Sequence, residues 1–148
     1  GILAPGFWKD GSRSGFDVVD LADGRTAPLC RRLEDAEAGQ AGTPFQFHPE
    51  GLRLGYEALA PDRLRSRNVA LVVVDEIGPL ELAGEGWAAA LDSLVEQWCG
   101  PMIWVVRRDL LQKVKERWLQ SEPEVLDVRS AAPSELVKLF ETPALEQA

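Results

Sequence analysis

Cysteine and histidine are scarce in this chain, which has two cysteines and one histidine among 148 residues. An ordinary zinc site takes roughly four such ligands, so these three side chains exclude one. Cys30 and Cys99 are far apart, and two thiols are too few for a disulfide framework. The first residues are broken by Gly and Pro and show no secretory signal, so we expect free thiols and a cytoplasmic location.

Long apolar runs and excess positive charge are also lacking. No apolar run is long enough to cross a bilayer, so we expect no membrane partner. The chain has 16 Lys and Arg against 24 Asp and Glu, a net charge of −8. Such a chain is repelled by a phosphate backbone, so nucleic acid is not an expected partner. The length and ordinary composition suit a single domain over residues 1–148.

The two halves of the chain carry different patterns. Residues 1–60 are β-rich and irregular. They begin with a short extended stretch, and a hairpin then turns at Asp23-Gly24 within residues 16–30. We expect an exposed loop over 34–44, then an extended piece with a turn over 45–59 and a short helix over 60–68 that ends near Asn68.

Residues 69–140 predict a strand–helix–strand–helix–strand–helix series. The apolar run Val69–Val74 is typical of a strand buried on both faces, and further strands are predicted at 101–106 and 124–128. Helices are predicted over 86–98, over 109–119 with Asp109 as the N-cap, and over 133–140. This alternation predicts an α/β fold with a mostly parallel sheet and an antiparallel hairpin insertion in its N-terminal half. Residues 141–148 are expected to be a flexible tail.

Two acids follow directly from the predicted strand at Val69–Val74. Asp75 and Glu76 stand at its carboxyl end, Gly78-Pro79 turns the chain, and Glu81 supplies a third carboxylate. Ligands of open α/β sheets bind outside the carboxyl ends of strands. An Asp there can hold Mg²⁺ directly or through water, and a Glu can orient or deprotonate an attacking water. A strand that simply ends in solvated acids is the alternative.

Several motifs in order resemble the THEP1-type nucleoside-triphosphatases, a family of P-loop NTPases. They are Gly6-Phe7, Arg13 with Gly15-Phe16, Asp20-Leu21 with Gly24, Gly55-Tyr56, and Val72 through Glu81. The resemblance covers roughly residues 6–118. It implies a three-layer, RecA-like fold and Mg²⁺-dependent hydrolysis of nucleoside triphosphates with broad base tolerance. It also implies that Asp75 is the Walker B aspartate, binding Mg²⁺ through water, and that Glu76 is the catalytic glutamate. Glu81 matches a family acid of supporting role.

The chain departs from that family in its phosphate-binding loop. The family pattern begins with a strand, G-x-x-x-x-G-K-[ST] and a helix, whereas this sequence has no Gly-Lys pair. The expected fold therefore lacks the first strand and the Walker A loop, either because the sequence is a fragment or because the loop was lost. That strand would lie inside the sheet, beside the Walker B strand or its neighbour. Its absence would leave strand edges open and favour homo-oligomers or strand exchange.

Other residues are candidates for contact with the nucleotide. Arg13, or Arg107 or Arg108 after the second predicted strand, could neutralise phosphate charge, with a surface ion pair as the alternative. Trp8 or Tyr56 could stack on a base, with a structural role as the alternative. We expect the chain alone to be inactive. Two other functions remain open: a non-catalytic interaction module descended from a P-loop NTPase, and a Mg²⁺-carboxylate site for different phosphoryl chemistry.

Overall fold

The structure is a computed structural model that describes residues 1–34 and 39–141. Seven strands in these residues form one sheet: β1 (Ile2–Leu3), β2 (Gly6–Lys9), β3 (Ser12–Asp20), β4 (Thr26–Arg32), β5 (Phe45–Phe47), β6 (Val72–Ile77) and β7 (Met102–Val106). The α-helices of the described residues are α1 (Pro49–Leu59), α2 (Pro61–Ser66), α3 (Pro79–Leu82), α4 (Ala88–Gln97), α5 (Leu111–Trp118) and α6 (Pro133–Glu141). Part of the predicted loop over 34–44 and most of the predicted tail lie outside the described residues.

The sheet combines parallel and antiparallel pairing. Its order is β5-β4-β3-β1-β6-β7, and β2 pairs with the same strand, β3, as β1 does. Only β1–β6 and β6–β7 are parallel, whereas β1–β3, β2–β3, β3–β4 and β4–β5 are antiparallel. The prediction of a mostly parallel sheet is therefore wrong for the described residues. The hairpin that sequence reasoning treated as an insertion forms the larger part of the sheet itself.

One face of the sheet is buried and the other is partly open. Ile2 pairs with Val74, and Val72 and Val74 on this face are buried beneath the helices. Because side chains alternate along a strand, Leu3 and Val105 point to the other face. They are 42% and 40% exposed, so the described residues do not supply the helix layer expected on that side. The expected burial of the Val72–Val74 strand on both faces is confirmed for one face only.

A buried carboxylate fixes the end of β3 against α2. Asp20 accepts hydrogen bonds from Arg63 at 2.5 Å and from the backbone N–H of Ala22 at 3.0 Å. Burial works to raise the pKa of Asp20, but these hydrogen bonds outweigh it and hold the pKa below its usual range. The β3–β4 turn is thereby tied to the helices, which supports the position of β1 between β3 and β6.

Two predicted elements differ from those observed. Residues 49–59 form helix α1 instead of an extended piece with a turn. Gly51 and Gly55 in this helix are buried, and a methyl group at Gly51 would overlap the Pro28 backbone, as one at Gly55 would overlap the Trp87 indole. The α5 N-cap is Leu110, not Asp109, which lies in a 3₁₀ turn and pairs with Arg107.

The predicted strand at 124–128 is also wrong, since these residues have no regular secondary structure. β6 is paired on both sides, so no gap lies beside it. β7 pairs only with β6 among the described strands, so its other edge is open, as is the outer edge of β5. Residues 124–128 pair with neither edge, and without a neighbouring strand their backbone groups form no ladder.

Among the described residues, no helix has both the length and the apolar character needed to span a membrane.

Candidate functional site

The carboxyl ends of β1, β6 and β7 meet at one edge of the sheet. The three strands are parallel neighbours, so Ala4, Asp75 and Arg107, at or just beyond their ends, come together there. β1 and β2 are separated by only two residues, and both pair with β3 in the same direction. β2 therefore extends along β3 beyond the carboxyl end of β6. The β2–β3 hairpin thus forms a side wall above the predicted carboxylates.

Asp75 and Glu76 leave the strand through an irregularity. Asp75 pairs with Val105 and Ile77 with Val106, so Glu76 is an extra residue in the ladder. Such bulges re-aim side chains and are common beside active sites. The peptide bond between Asp75 and Glu76 is cis. Asp75 is half-buried and its Oδ2 accepts a hydrogen bond of 3.1 Å from the backbone N–H of Ala4.

Charge and hydration together set the proton affinity of Glu76. Partial loss of hydration raises the pKa of its carboxyl, and the adjacent Asp75 carboxylate raises it further. Arg107 and Arg13 oppose both effects. Its side chain is nevertheless exposed by surface area, so water can reach it. These four charged groups therefore belong to one electrostatic site.

Glu81 does not face that site but is turned inward. It is 5% exposed, and its carboxylate accepts hydrogen bonds from the backbone N–H of Gly78 at 3.0 Å and of Trp87 at 3.4 Å. Burial raises the pKa of Glu81, whereas these backbone donors lower it. Gly86 lies so close to this carboxylate that a methyl group there would overlap it. Glu81 thus closes the loop that follows the candidate catalytic strand.

Arg107 is held at the end of β7 by a neighbour. Its guanidinium donates to both carboxylate oxygens of Asp109, at 3.2 and 2.7 Å. Hydrogen bonding to Asp109 raises the pKa of Arg107, and the charge of Glu76 adds to the effect. Arg108 points elsewhere and pairs with Asp127 at 3.5 Å.

Arg13 lies on the β2–β3 wall between aromatic rings. Its guanidinium carbon is 4.3 Å from the centroid of Trp8 and 5.0 Å from that of Phe16. The guanidinium lies over Gly6, where a methyl group would overlap it. Trp8 itself is 66% exposed. Tyr56, in contrast, is exposed on α1 and makes no hydrogen bond or ring contact within the described chain, so its stacking role stays a prediction.

Sequence reasoning missed two backbone positions of the site. Ala4 binds Asp75 through its N–H, and Gly6 makes room for Arg13. Neither residue carries a chemical group that marks it. The Pro5-Gly6 pair between two extended stretches was the available signal for a chain that changes direction.

The described residues contain no cluster of three or more His, Cys, Asp or Glu that could hold a metal ion on its own. Asp75 and Glu76 still suit Mg²⁺, which is usually bound through only one or two carboxylates plus water and substrate phosphates. Asp75 keeps Oδ1 free of protein hydrogen bonds within the described chain. The donor set therefore fits Mg²⁺ that arrives with a phosphate substrate.

Comparison with known proteins gives a consistent result. The sequence profile of the family described as NTPase matches residues 1–135. The nucleoside-triphosphatase THEP1 of Methanosarcina barkeri is 30% identical over 145 residues, which are 95% of this chain and 78% of that protein. The nucleoside-triphosphatase THEP1 of Methanothermobacter thermautotrophicus is 31% identical over 118 residues, which are 79% of this chain and 64% of that protein. The THEP1 protein of Ignicoccus hospitalis is 34% identical over 82 residues, which are 55% of this chain and 43% of that protein.

A search of solved structures gave no significant match. The family profile covers most of the chain, and the Methanosarcina barkeri relative is matched over more than two thirds of its own length. The chain therefore belongs to the THEP1-type family of nucleoside-triphosphatases.

Proposed function

We propose that this chain supplies the carboxylate half of a Mg²⁺-dependent site that hydrolyses ATP, GTP or other nucleoside triphosphates to the diphosphate and phosphate, in the cytoplasm. The observation that supports it best is the bulge at the end of β6. There Asp75 is anchored by Ala4, and Glu76 stands out of the ladder with a raised pKa. The names of the relatives agree with this reaction class.

Asp75 has the role of holding Mg²⁺ through water in this proposal. The Ala4 N–H occupies Oδ2, which leaves Oδ1 to hydrogen-bond to the water shell of the ion. When bound, the ion neutralises charge on the β- and γ-phosphates.

Glu76 orients the attacking water and accepts its proton. The water oxygen forms a bond to the γ-phosphorus, the bond to the β–γ bridging oxygen breaks, and the diphosphate leaves. A raised pKa makes Glu76 a better proton acceptor than a free carboxylate. Arg107, fixed by Asp109 on the β7 side, is placed to offset the developing negative charge.

The 148 residues contain no G-x-x-x-x-G-K-[ST] loop, so we expect no turnover from them alone. The test joins a strand, a G-x-x-x-x-G-K-[ST] loop and a helix to the front of this chain and measures Mg²⁺-dependent phosphate release. In this completed protein, Glu76→Gln should reduce turnover by about tenfold or more with little change in nucleotide affinity. Glu85→Gln, at an exposed position in the following loop, is the matched control. Unchanged turnover in Glu76→Gln would remove Glu76 from this role.

An interaction module without catalysis is the second candidate, and the surface of α6 favours it. Leu136, Val137, Leu139 and Phe140 are all exposed on this helix, and the nearby sequence positions Val125 and Val128 are exposed as well. A completed protein that bound no Mg·ATP would support the module and contradict the hydrolase.

A further inference from the structure

Two arginines on neighbouring strands, Arg13 on β3 and Arg31 on β4, each lie over a glycine, on opposite faces of the sheet. Arg13 lies over Gly6, and Arg31 lies over Gly15, where an added methyl group would meet the Arg31 side chain. Each guanidinium also stacks near an exposed aromatic ring: Arg13 is 4.3 Å from Trp8, and Arg31 is 5.2 Å from Phe7. The missing side chains of Gly6 and Gly15 thus leave room for an arginine to lie flat on the sheet.

The two arginines differ in what their N–H groups contact. Arg31 makes three hydrogen bonds: it donates to Asp17 at 2.7 Å and to the carbonyl oxygens of Phe16 and Cys30 at 2.6 and 2.8 Å. Arg13 has no hydrogen bond or ion pair with any described residue, only its aromatic neighbours. A guanidinium has five N–H donors, so those of Arg13 remain available to an incoming acceptor.

Arg13, the arginine with available donors, lies near the part of the chain that contacts Asp75. Gly6, beneath it, follows Ala4 by two residues, and Ala4 is hydrogen-bonded to Asp75. Arg13 in turn is among the charges that act on Glu76. A stacked guanidinium is held flat, which suits two-point contact with phosphate oxygens.

Trp8 completes the surface on its outer side. It is 66% exposed although it belongs to a strand, which is unusual for so large an apolar ring. Base stacking on an indole does not distinguish one base from another, because each base has a π face.

We propose that Arg13 and Trp8 form one wall of the nucleotide pocket, with the guanidinium of Arg13 binding a phosphate oxygen and the indole of Trp8 stacking on the base. This proposal rests on the proposed function and names the part of the substrate that each residue contacts. Arg13 contributes charge for the phosphates and Trp8 contributes a flat ring for the base. Neither contact distinguishes one base from another, so this wall binds nucleoside triphosphates without selecting the base.

The experiment follows backbone amide NMR shifts of the 148-residue chain during titration with Mg·ATP and, separately, Mg·tripolyphosphate, which has no base. We expect shifts in residues 6–16 with both ligands and tighter binding of ATP. Arg13→Gln should weaken both ligands alike, by about tenfold for a lost charge-assisted hydrogen bond. Trp8→Leu should weaken ATP more than tripolyphosphate, because the base loses its stacking partner while Phe16 still contacts the guanidinium of Arg13.

Arg31→Gln and Phe7→Leu are matched controls, since they change the same kinds of residue on the opposite face of the sheet. We expect nucleotide affinity in both to remain close to that of the unsubstituted chain. The proposal is overturned if the unsubstituted chain shows no ligand-dependent shifts, if Arg13→Gln binds normally, or if Arg31→Gln weakens binding as much. Turnover of the completed protein with Glu76→Gln tests the proposed function separately, so either idea can fail alone.

Discussion

The backbone N–H of Ala4 donates a hydrogen bond of 3.1 Å to Oδ2 of Asp75, across 71 residues of sequence. It joins the carboxyl ends of two parallel strands and fixes one oxygen of a carboxylate while leaving the other available. Because the donor is a backbone group, most substitutions at Ala4 would preserve it. The arrangement holds a candidate metal-binding side chain in place without using a second side chain.

The inward-facing carboxylate of Glu81 should contribute strongly to stability. Glu81→Ala leaves the N–H groups of Gly78 and Trp87 without their acceptor, and we expect a loss of about 2–4 kcal/mol in the free energy of unfolding. Urea denaturation followed by tryptophan fluorescence measures it. Glu85→Ala, at an exposed position in the same loop, should change stability by less than about 0.5 kcal/mol. Equal effects of the two substitutions would show that the Glu81 hydrogen bonds do not stabilise the loop.

Glu76 should cost the folded chain stability at neutral pH. The pKa of Glu76 is raised in the folded state, so between the ordinary Glu pKa and this raised pKa the unfolded chain loses its proton first. The free energy of unfolding therefore falls as the pH rises through that range. Glu76→Gln should therefore raise the melting temperature at about pH 7 and have no such effect near pH 3.5, where the carboxyl is protonated in both states. Calorimetric melting at the two pH values measures the difference. A lower melting temperature for Glu76→Gln at pH 7 would contradict the raised pKa.

Two tryptophans should respond differently to the loss of the indole N–H. Trp104 packs edge-on against Trp118, with ring centroids 6.1 Å apart, but its buried Nε1 has no hydrogen-bond partner in the described chain. Trp87 Nε1 donates to the carbonyl oxygen of Leu52 at 3.0 Å. Measured by urea denaturation, Trp87→Phe should cost about 0.5–1.5 kcal/mol more than Trp104→Phe, because only Trp87 loses a hydrogen bond of its indole N–H. A larger loss for Trp104→Phe would contradict this difference.

Local sequence patterns predicted much of the second half of the fold. The helix predicted over 86–98 is observed as Ala88–Gln97, and that over 133–140 as Pro133–Glu141. The hairpin with its turn at Asp23-Gly24 is also confirmed. The strand predicted over Val69–Val74 is observed as Val72–Ile77, so Asp75 and Glu76 lie inside it, near its carboxyl end. These elements are specified by periodicity, turn residues and caps within a few positions, which a reader of the sequence can see.

Glycine and strand pairing explain the failures. Residues 45–59 were predicted as an extended piece with a turn, but Gly51 and Gly55 within them let helix α1 approach β4 and Trp87 closely. Residues 124–128 have the composition of a strand, but strand formation depends on a partner edge that composition does not report.

The sequence by itself determined that two carboxylates stand at the end of an apolar strand and that no phosphate loop accompanies them in these residues. Only the tertiary structure decided that Ala4 anchors Asp75, that Glu81 turns inward, and that Arg13 rather than Arg31 keeps its donors free. Each of these depends on which strands pair and in what register. Strand pairing brings together residues that are far apart in the chain, and a local sequence pattern does not specify which of them will be in contact.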